Sequence, residues 1–243
     1  MGKLSEKVAI VTGGGSGIGK AIALGLAAEG ASLVIAARGV ERLNQTTHEI
    51  QASGGKAVPV PTDVSDEAQV MALFKRTMEL FGRVDILVNN AGAFDGGPLD
   101  ELAVATWDKV MATNLRGPFL STREALRIMK RQRSGRILNI GSISAQRPRF
   151  HSAPYSASKF GLWGLTLVTA LEGREFGISA CCLHPGNVRV ETSPPASADL
   201  PLEPRMEVEE IAQAAVLMAS LPPHVNMLEA IVLPVGQAYL ARG

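Results

Sequence analysis

Cysteine is nearly absent: only Cys181 and Cys182 occur in 243 residues, side by side in an apolar run. That excludes a disulfide framework and the spaced ligands of a zinc site, so buried free thiols and no metal are expected. An excess of charge is absent as well. The 24 Lys and Arg face 23 Asp and Glu, a net charge of +1 that sets up no field toward nucleic acid or an anionic membrane. No apolar stretch reaches the roughly 18 residues that span a bilayer, and residues 1–11 lack the apolar centre of a signal peptide. These absences predict a cytoplasmic chain with reduced thiols.

What is present is alternation. Short apolar runs suited to buried strands lie at 8–11, 33–36, 57–60, 86–88, 137–140, 178–183 and 231–233. Amphipathic segments between them read as helices over 17–29, 40–52, 65–80, 106–133, 153–175 and 207–220. Ser65 is the expected N-cap of the third, and the fourth is expected to bend near Gly117 and Pro118. Strands apolar on both faces, alternating with helices, predict an α/β fold: a doubly wound parallel sheet with helices on both faces. No composition shift or repeat divides residues 1–243, so one domain is expected. The Pro- and Ser-rich stretch at 189–206 reads as a mobile substrate lid, most mobile over 193–204.

Between the first strand and first helix lies Thr12-Gly13-Gly14-Gly15-Ser16-Gly17-Ile18-Gly19. Glycines there permit a tight turn and let a pyrophosphate approach backbone N–H groups at the helix start. The spacing, G-x-x-x-G-x-G, departs from the G-x-G-x-x-G fingerprint. The second strand ends in Ala36-Ala37-Arg38, followed by Gly39. An acid there would hold the 2′-hydroxyl of NAD, whereas a guanidinium suits a 2′-phosphate, so NADP is expected to be preferred, with NAD still accepted. Asp63-Val64 and Asn89-Asn90-Ala91-Gly92 follow the third and fourth strands, at the carboxyl edge where such sheets bind ligands.

Tyr155 and Lys159 stand four apart, on one face of a helix. A free phenol titrates near about 10, too high for useful proton transfer at neutral pH. A nearby ammonium favours the phenolate, and such a pair can give a proton to a carbonyl oxygen or take one from an alcohol.

Joined with Asn114, Ser142 and Pro185-Gly186, these motifs make the chain resemble the short-chain dehydrogenase/reductase family over nearly its whole length. The resemblance implies a Rossmann fold on seven parallel strands and an NAD(P)-dependent oxidoreductase acting on a small carbonyl or alcohol. It implies a catalytic set of Asn114, Ser142, Tyr155 and Lys159. Tyr155 would be the acid or base, with Ser142 donating to the substrate oxygen. Lys159 would also meet the nicotinamide ribose, and Asn114 would distort its helix and hold a water. The cofactor would lie along Gly13, Gly15, Ser16, Gly17, Ile18 and Gly19, with Arg38 at the 2′-phosphate. Asp63 and Val64 would meet the adenine, Asn90, Ala91 and Gly92 the ribose side, and Pro185, Gly186 and Val188 the nicotinamide.

Two departures stand out. Val190 occupies a position where relatives often carry Thr, which leaves Thr192 to contact the carboxamide. The stretch 227–237 lacks the glycine-rich run of many relatives and resembles bacterial NADP-linked hydroxy-acid and carbonyl reductases. A homotetramer is therefore expected, or a dimer if one interface is lost. Candidate pocket residues are Ala93, Phe94, Asp95, Ser144, Ala145, Gln146, His151, Trp163 and Asn187. Arg147, Arg149 and His151 read as a solvated loop rather than a cationic rim, and His184 as structural. Rival functions are a nucleotide sensor without chemistry and a sugar-nucleotide epimerase or dehydratase. The first need not keep all four catalytic residues; the second carries a larger region after the position of Pro185.

Overall fold

The computed structural model describes residues 2–191 and 203–239. Its elements are β1 (Val8–Thr12), α1 (Gly17–Ala28), β2 (Ser32–Ala37), α2 (Val40–Ala52), β3 (Lys56–Pro61), α3 (Glu67–Phe81) and β4 (Ile86–Asn89), then α4 (Val104–Met111), α5 (Gly117–Gln132), β5 (Gly135–Ile140), α6 (Ala153–Gly173), β6 (Ile178–Pro185), α7 (Val208–Ser220) and β7 (Glu229–Val232). The strands pair in parallel in the order β3-β2-β1-β4-β5-β6-β7, the doubly wound Rossmann arrangement expected.

The continuous apolarity of β1 follows from its two covered faces. Ala9 and Val11 enter a core with Ile22 and Leu26 of α1, Leu43 of α2 and Ile211 of α7. Ile10 enters the opposite core with Leu73 and Phe74 of α3 and Leu120 of α5. Each such side chain, fully buried, contributes about 1.5–3 kcal/mol relative to exposure. Cys181 and Cys182 are free and buried, and burial pushes both thiols up to about 12, which keeps them protonated and inert.

Two local expectations are corrected. The helix foreseen over 106–133 is split by a π-turn at Ala112–Arg116. Pro118 has no N–H to offer the Asn114 carbonyl, and Gly117 N–H reaches Ala112 O, five residues back. The N-cap of α3 is Asp66, whose Oδ1 accepts from Ala68 N–H (2.9 Å) and Gln69 N–H (3.2 Å). Ser65 is instead drawn to Asp63 Oδ1, to which its hydroxyl (2.7 Å) and N–H (2.9 Å) both donate.

The lid foreseen at 189–206 falls largely on residues 192–202, outside the described residues, as does Thr192. Its two flanks meet: Arg189 N–H donates to Met206 O (2.8 Å) and Met206 N–H to Asn187 O (2.9 Å).

The chain winds outward from β1 to β3, then returns to start β4 on the other side of β1. This reversal opens a crevice at the carboxyl ends of β1 and β4. Asn90 bridges it, with its N–H donating to Thr12 Oγ1 (3.0 Å) and its Nδ2 to Thr12 O (3.0 Å).

Candidate active site

A cavity of about 350 Å³ occupies the crevice. Of the expected cofactor residues, Gly13, Gly15, Ser16, Arg38, Asp63, Val64, Ala91 and Gly92 line it. Gly13 and Gly19 are required by space. Gly13 has φ +67°, and a Cβ there would lie 2.7 Å from Asn90 Nδ2. A Cβ on Gly19 would lie 2.2 Å from Gly13 O, so Gly19 serves close packing of α1 under the loop rather than lining the cavity. Gly17 has φ +52° and Ile18 packs on the core. Ser16, the α1 N-cap, makes no side-chain capping bond, which leaves the first-turn N–H groups free for an anion. Hydrogen bonds from Ser65 and the nearby Arg38 cation hold the Asp63 carboxyl below its usual range. Pro185, Gly186 and Val188 stand at the end of β6 and beyond it, outside this cavity; Gly186 N–H donates to Val232 O (2.8 Å).

The proton-transfer candidates converge at the ends of β5 and α6. Lys159 is 5% exposed, its Nζ donating to Ile140 O (2.8 Å) and lying 5.6 Å from the Tyr155 ring centroid. Ser142 follows β5 by two residues. Its Oγ accepts from Ser144 N–H (3.1 Å), which leaves the hydroxyl proton to donate elsewhere. Beneath it lies His184, fully buried, with Nδ1 2.9 Å from Ser142 O and 3.3 Å from Ser142 N. The ring packs against Gly141, where a Cβ would lie 2.6 Å from Nδ1, and edge-on to Trp163. Burial pushes the imidazole below its ordinary value, against the opposing pull of the Ser142 carbonyl and Glu229. His184 thus supports the Ser142 backbone, in keeping with the structural reading.

Asn114 sits within the π-turn, 1% exposed. Its Oδ1 accepts from Ala93 N–H (2.7 Å), and its Nδ2 donates to Ala93 O (2.8 Å) and Ser158 Oγ (3.2 Å). The side chain is consumed in tying the loop after β4 to α6. Below, Asn89 Nδ2 donates to Asn139 Oδ1 (2.8 Å) and Asn139 Nδ2 to Thr166 Oγ1 (2.8 Å), pinning β4 and β5 to α6. These bonds hold Ser142, Tyr155 and Lys159 on rigid supports.

A family model described as short chain dehydrogenase matches residues 7–200. The chain belongs to the short-chain dehydrogenase family. A Streptomyces violaceoruber protein named as a ketoacyl reductase of granaticin polyketide synthase is 43% identical over 189 residues, 77% of this chain and 70% of that one. A metagenomic short-chain oxidoreductase solved with NADP is 35% identical with TM-score 0.84, covering 96% of this chain and 99% of its own. A variant of actinorhodin polyketide ketoreductase solved with NADPH is 33% identical with TM-score 0.87, covering 97% and 98%. Membership makes the chain an oxidoreductase acting on CH–OH or carbonyl groups.

Three cavity-lining residues of this short-chain dehydrogenase are absent from the expected set: Arg42, Thr62 and Thr113. Arg42, in the first turn of α2, faces the same cavity as Arg38. Arg38 precedes the Gly39 N-cap of α2, so no helical spacing links the two arginines in the sequence. A second cavity, of about 360 Å³, lies at the opposite edge of the sheet and holds none of the expected residues. Asp85 there is matched by Arg83 (2.7 Å) and Lys7 (3.6 Å), and buried Arg136 donates to Met218 O, Leu221 O, Pro222 O and Val225 O.

Proposed function

We propose that the protein reduces ketones or aldehydes at the expense of NADPH, and runs in reverse as an alcohol dehydrogenase. The observation that carries this is the buried Lys159 ammonium, one turn from Tyr155, on the sheet edge that also holds the glycine-lined cavity. Gly13, Gly15 and the free N–H groups of α1 suit a pyrophosphate; Arg38 and Arg42 suit a 2′-phosphate. When bound, the cofactor supplies the hydride. Tyr155 gives its phenolic proton to the carbonyl oxygen. Ser142 donates its hydroxyl to the same oxygen as charge builds there. Lys159 holds its charge beside Tyr155 and reaches toward the ribose, and Asn114 acts by fixing Ala93 and Ser158. Purified protein, NADPH and a carbonyl panel, followed by absorbance loss, test the reading; binding of NADPH without turnover on any member would favour the sensor instead.

Cofactor choice gives a sharper test. Ala37 offers no carboxylate, and among the described residues neither Arg38 nor Arg42 has a hydrogen-bonded or ion-paired partner. One charged hydrogen bond contributes about 1.5–3 kcal/mol, or about ten- to a hundredfold in kcat/KM for NADPH over NADH. Ala37→Asp with Arg38→Ala is expected to reverse that preference. Equal kcat/KM for the two cofactors in the wild type would mean that Arg38 points to solvent.

The two buried thiols support a reducing compartment such as the cytoplasm, and the shared sheet edge supports one catalytic domain. The outer face of α6 supports self-association. Phe160, Leu167, Val168 and Leu171 are exposed at helical spacing, and Gly164 among them has open space. A second copy of this chain is the proposed occupant. Val168→Glu with Leu171→Glu should shift light scattering from an oligomer toward the 25.6 kDa chain mass. A monomeric wild type would sink the idea.

A further inference from the structure

Two phenylalanines near the candidate catalytic tyrosine are left in the open. Phe94 is 72% exposed and Phe150 97% exposed. Burying either in a core would stabilise the fold, so their exposure has no folding rationale. Phe94 is also not loosely held. Its ring meets the Tyr155 ring edge-on, centroids 5.0 Å apart. The residue before it, Ala93, has both backbone groups bonded to the buried Asn114 side chain. The residue after it, Asp95, accepts from Gly96 N–H (3.0 Å) and pairs with Lys109 (3.2 Å). Gly96 then abuts the loop that carries Phe150: a Cβ on Gly96 would lie 2.0 Å from His151 O. The two loops are thus locked together, with an apolar ring exposed on each and one of those rings against Tyr155.

Among the described residues, charge around this mouth is largely engaged. Arg149 donates to Asn187 Oδ1 and to Glu203 Oε2 (3.2 Å). Lys109 is matched by Asp95, and Arg147 turns onto the Tyr239 ring, 5.9 Å from its centroid. An anionic substrate would have to compete with these carboxylates.

We propose that the substrate is an uncharged carbonyl compound bearing a flat aryl body, and that Phe94 is the platform on which that body stacks beside Tyr155. The proposal rests on the carbonyl-reductase reading given above. An aromatic ring offered to another ring favours flat partners over saturated rings of equal size. The carbonyl then projects toward Tyr155 and Ser142, and the stacked ring limits its orientation.

The test uses binding, which needs no turnover. With the protein saturated in NADPH, which cannot accept a hydride from an alcohol, titration calorimetry compares 1-phenylethanol with 1-cyclohexylethanol, matched in size but not in flatness. The aryl alcohol is expected to bind about fivefold tighter, a difference lost in Phe94→Ala and in Phe94→Leu. Both variants should melt with the wild type, since the ring is largely outside the core. Equal binding of the two alcohols, or retention of the ratio in Phe94→Leu, overturns the stacking platform. Tighter binding of mandelate than of 1-phenylethanol overturns the uncharged class. Reduction of acetophenone with NADPH is then measured separately. Selective aryl binding without reduction of any ketone would leave the platform standing and refute the reductase reading; reduction without aryl selectivity would do the reverse.

Discussion

Tyr155→Phe is expected to remove turnover and to leave NADPH binding nearly intact. The substitution deletes one oxygen and the only proton that the proposed mechanism transfers. A positioned general acid contributes about 10²–10⁴-fold, so kcat should fall at least a hundredfold. The ring itself stays. Its contact with Phe94 needs no hydroxyl, and Ser158 Oγ–H still donates to the backbone carbonyl of residue 155 (2.6 Å). The dissociation constant for NADPH, read from quenching of protein fluorescence, should change less than about twofold, well under the effect of one lost hydrogen bond. Retention of more than a few per cent of wild-type kcat would remove Tyr155 from the role of acid.

Lys159→Ala is expected to damage catalysis and cofactor affinity together. The ammonium is buried against Ile140 O and the Tyr155 ring, so no solvent cation replaces it. Loss of the charge beside Tyr155 should lower kcat by a factor on the order of 10²–10⁴, and loss of the ribose contact should raise the NADPH dissociation constant about tenfold. Truncation also strips Ile140 O of its donor and opens a cavity, so a lowered melting temperature alone would be ambiguous. Lys159→Met fills the same space without the charge and separates the effects. If Lys159→Met bound NADPH like the wild type, the ribose contact would be wrong; if it also kept kcat, the proposed role of the cation would fall entirely.

The fold was legible where packing obeys a simple period. The run at 8–11 had to be a strand buried on both faces, because no single-faced element uses four consecutive apolar residues, and its side chains do divide between two cores. Glycine demands were legible for a similar reason: in the loop between strand and helix, Gly13 and Gly19 leave no room for a Cβ, and Gly13 and Gly17 take positive φ. Reading became unreliable where two local solutions compete. Ser65 and Asp66 can each cap α3, and the choice depends on Asp63, which captures Ser65 first. Pro118 announced a disturbed helix, but not that the disturbance would be a π-turn with Asn114 inside it.

By itself, the sequence determined the alternation of strands and helices, and the chemical types needed for a dinucleotide loop and a Tyr–Lys pair. These are properties of residue type and of spacing within one element, where chain geometry alone sets the neighbours. Only the tertiary structure decided that Arg42 joins Arg38 at one cavity, that His184 supports Ser142, that Asn114 spends its amide on Ala93, and that Phe94 lies against Tyr155. Each of those pairs couples separate elements or opposite ends of one loop. Their meeting depends on which strand ends lie side by side in the sheet and how each loop folds over that edge, a matter of packing that no local period encodes.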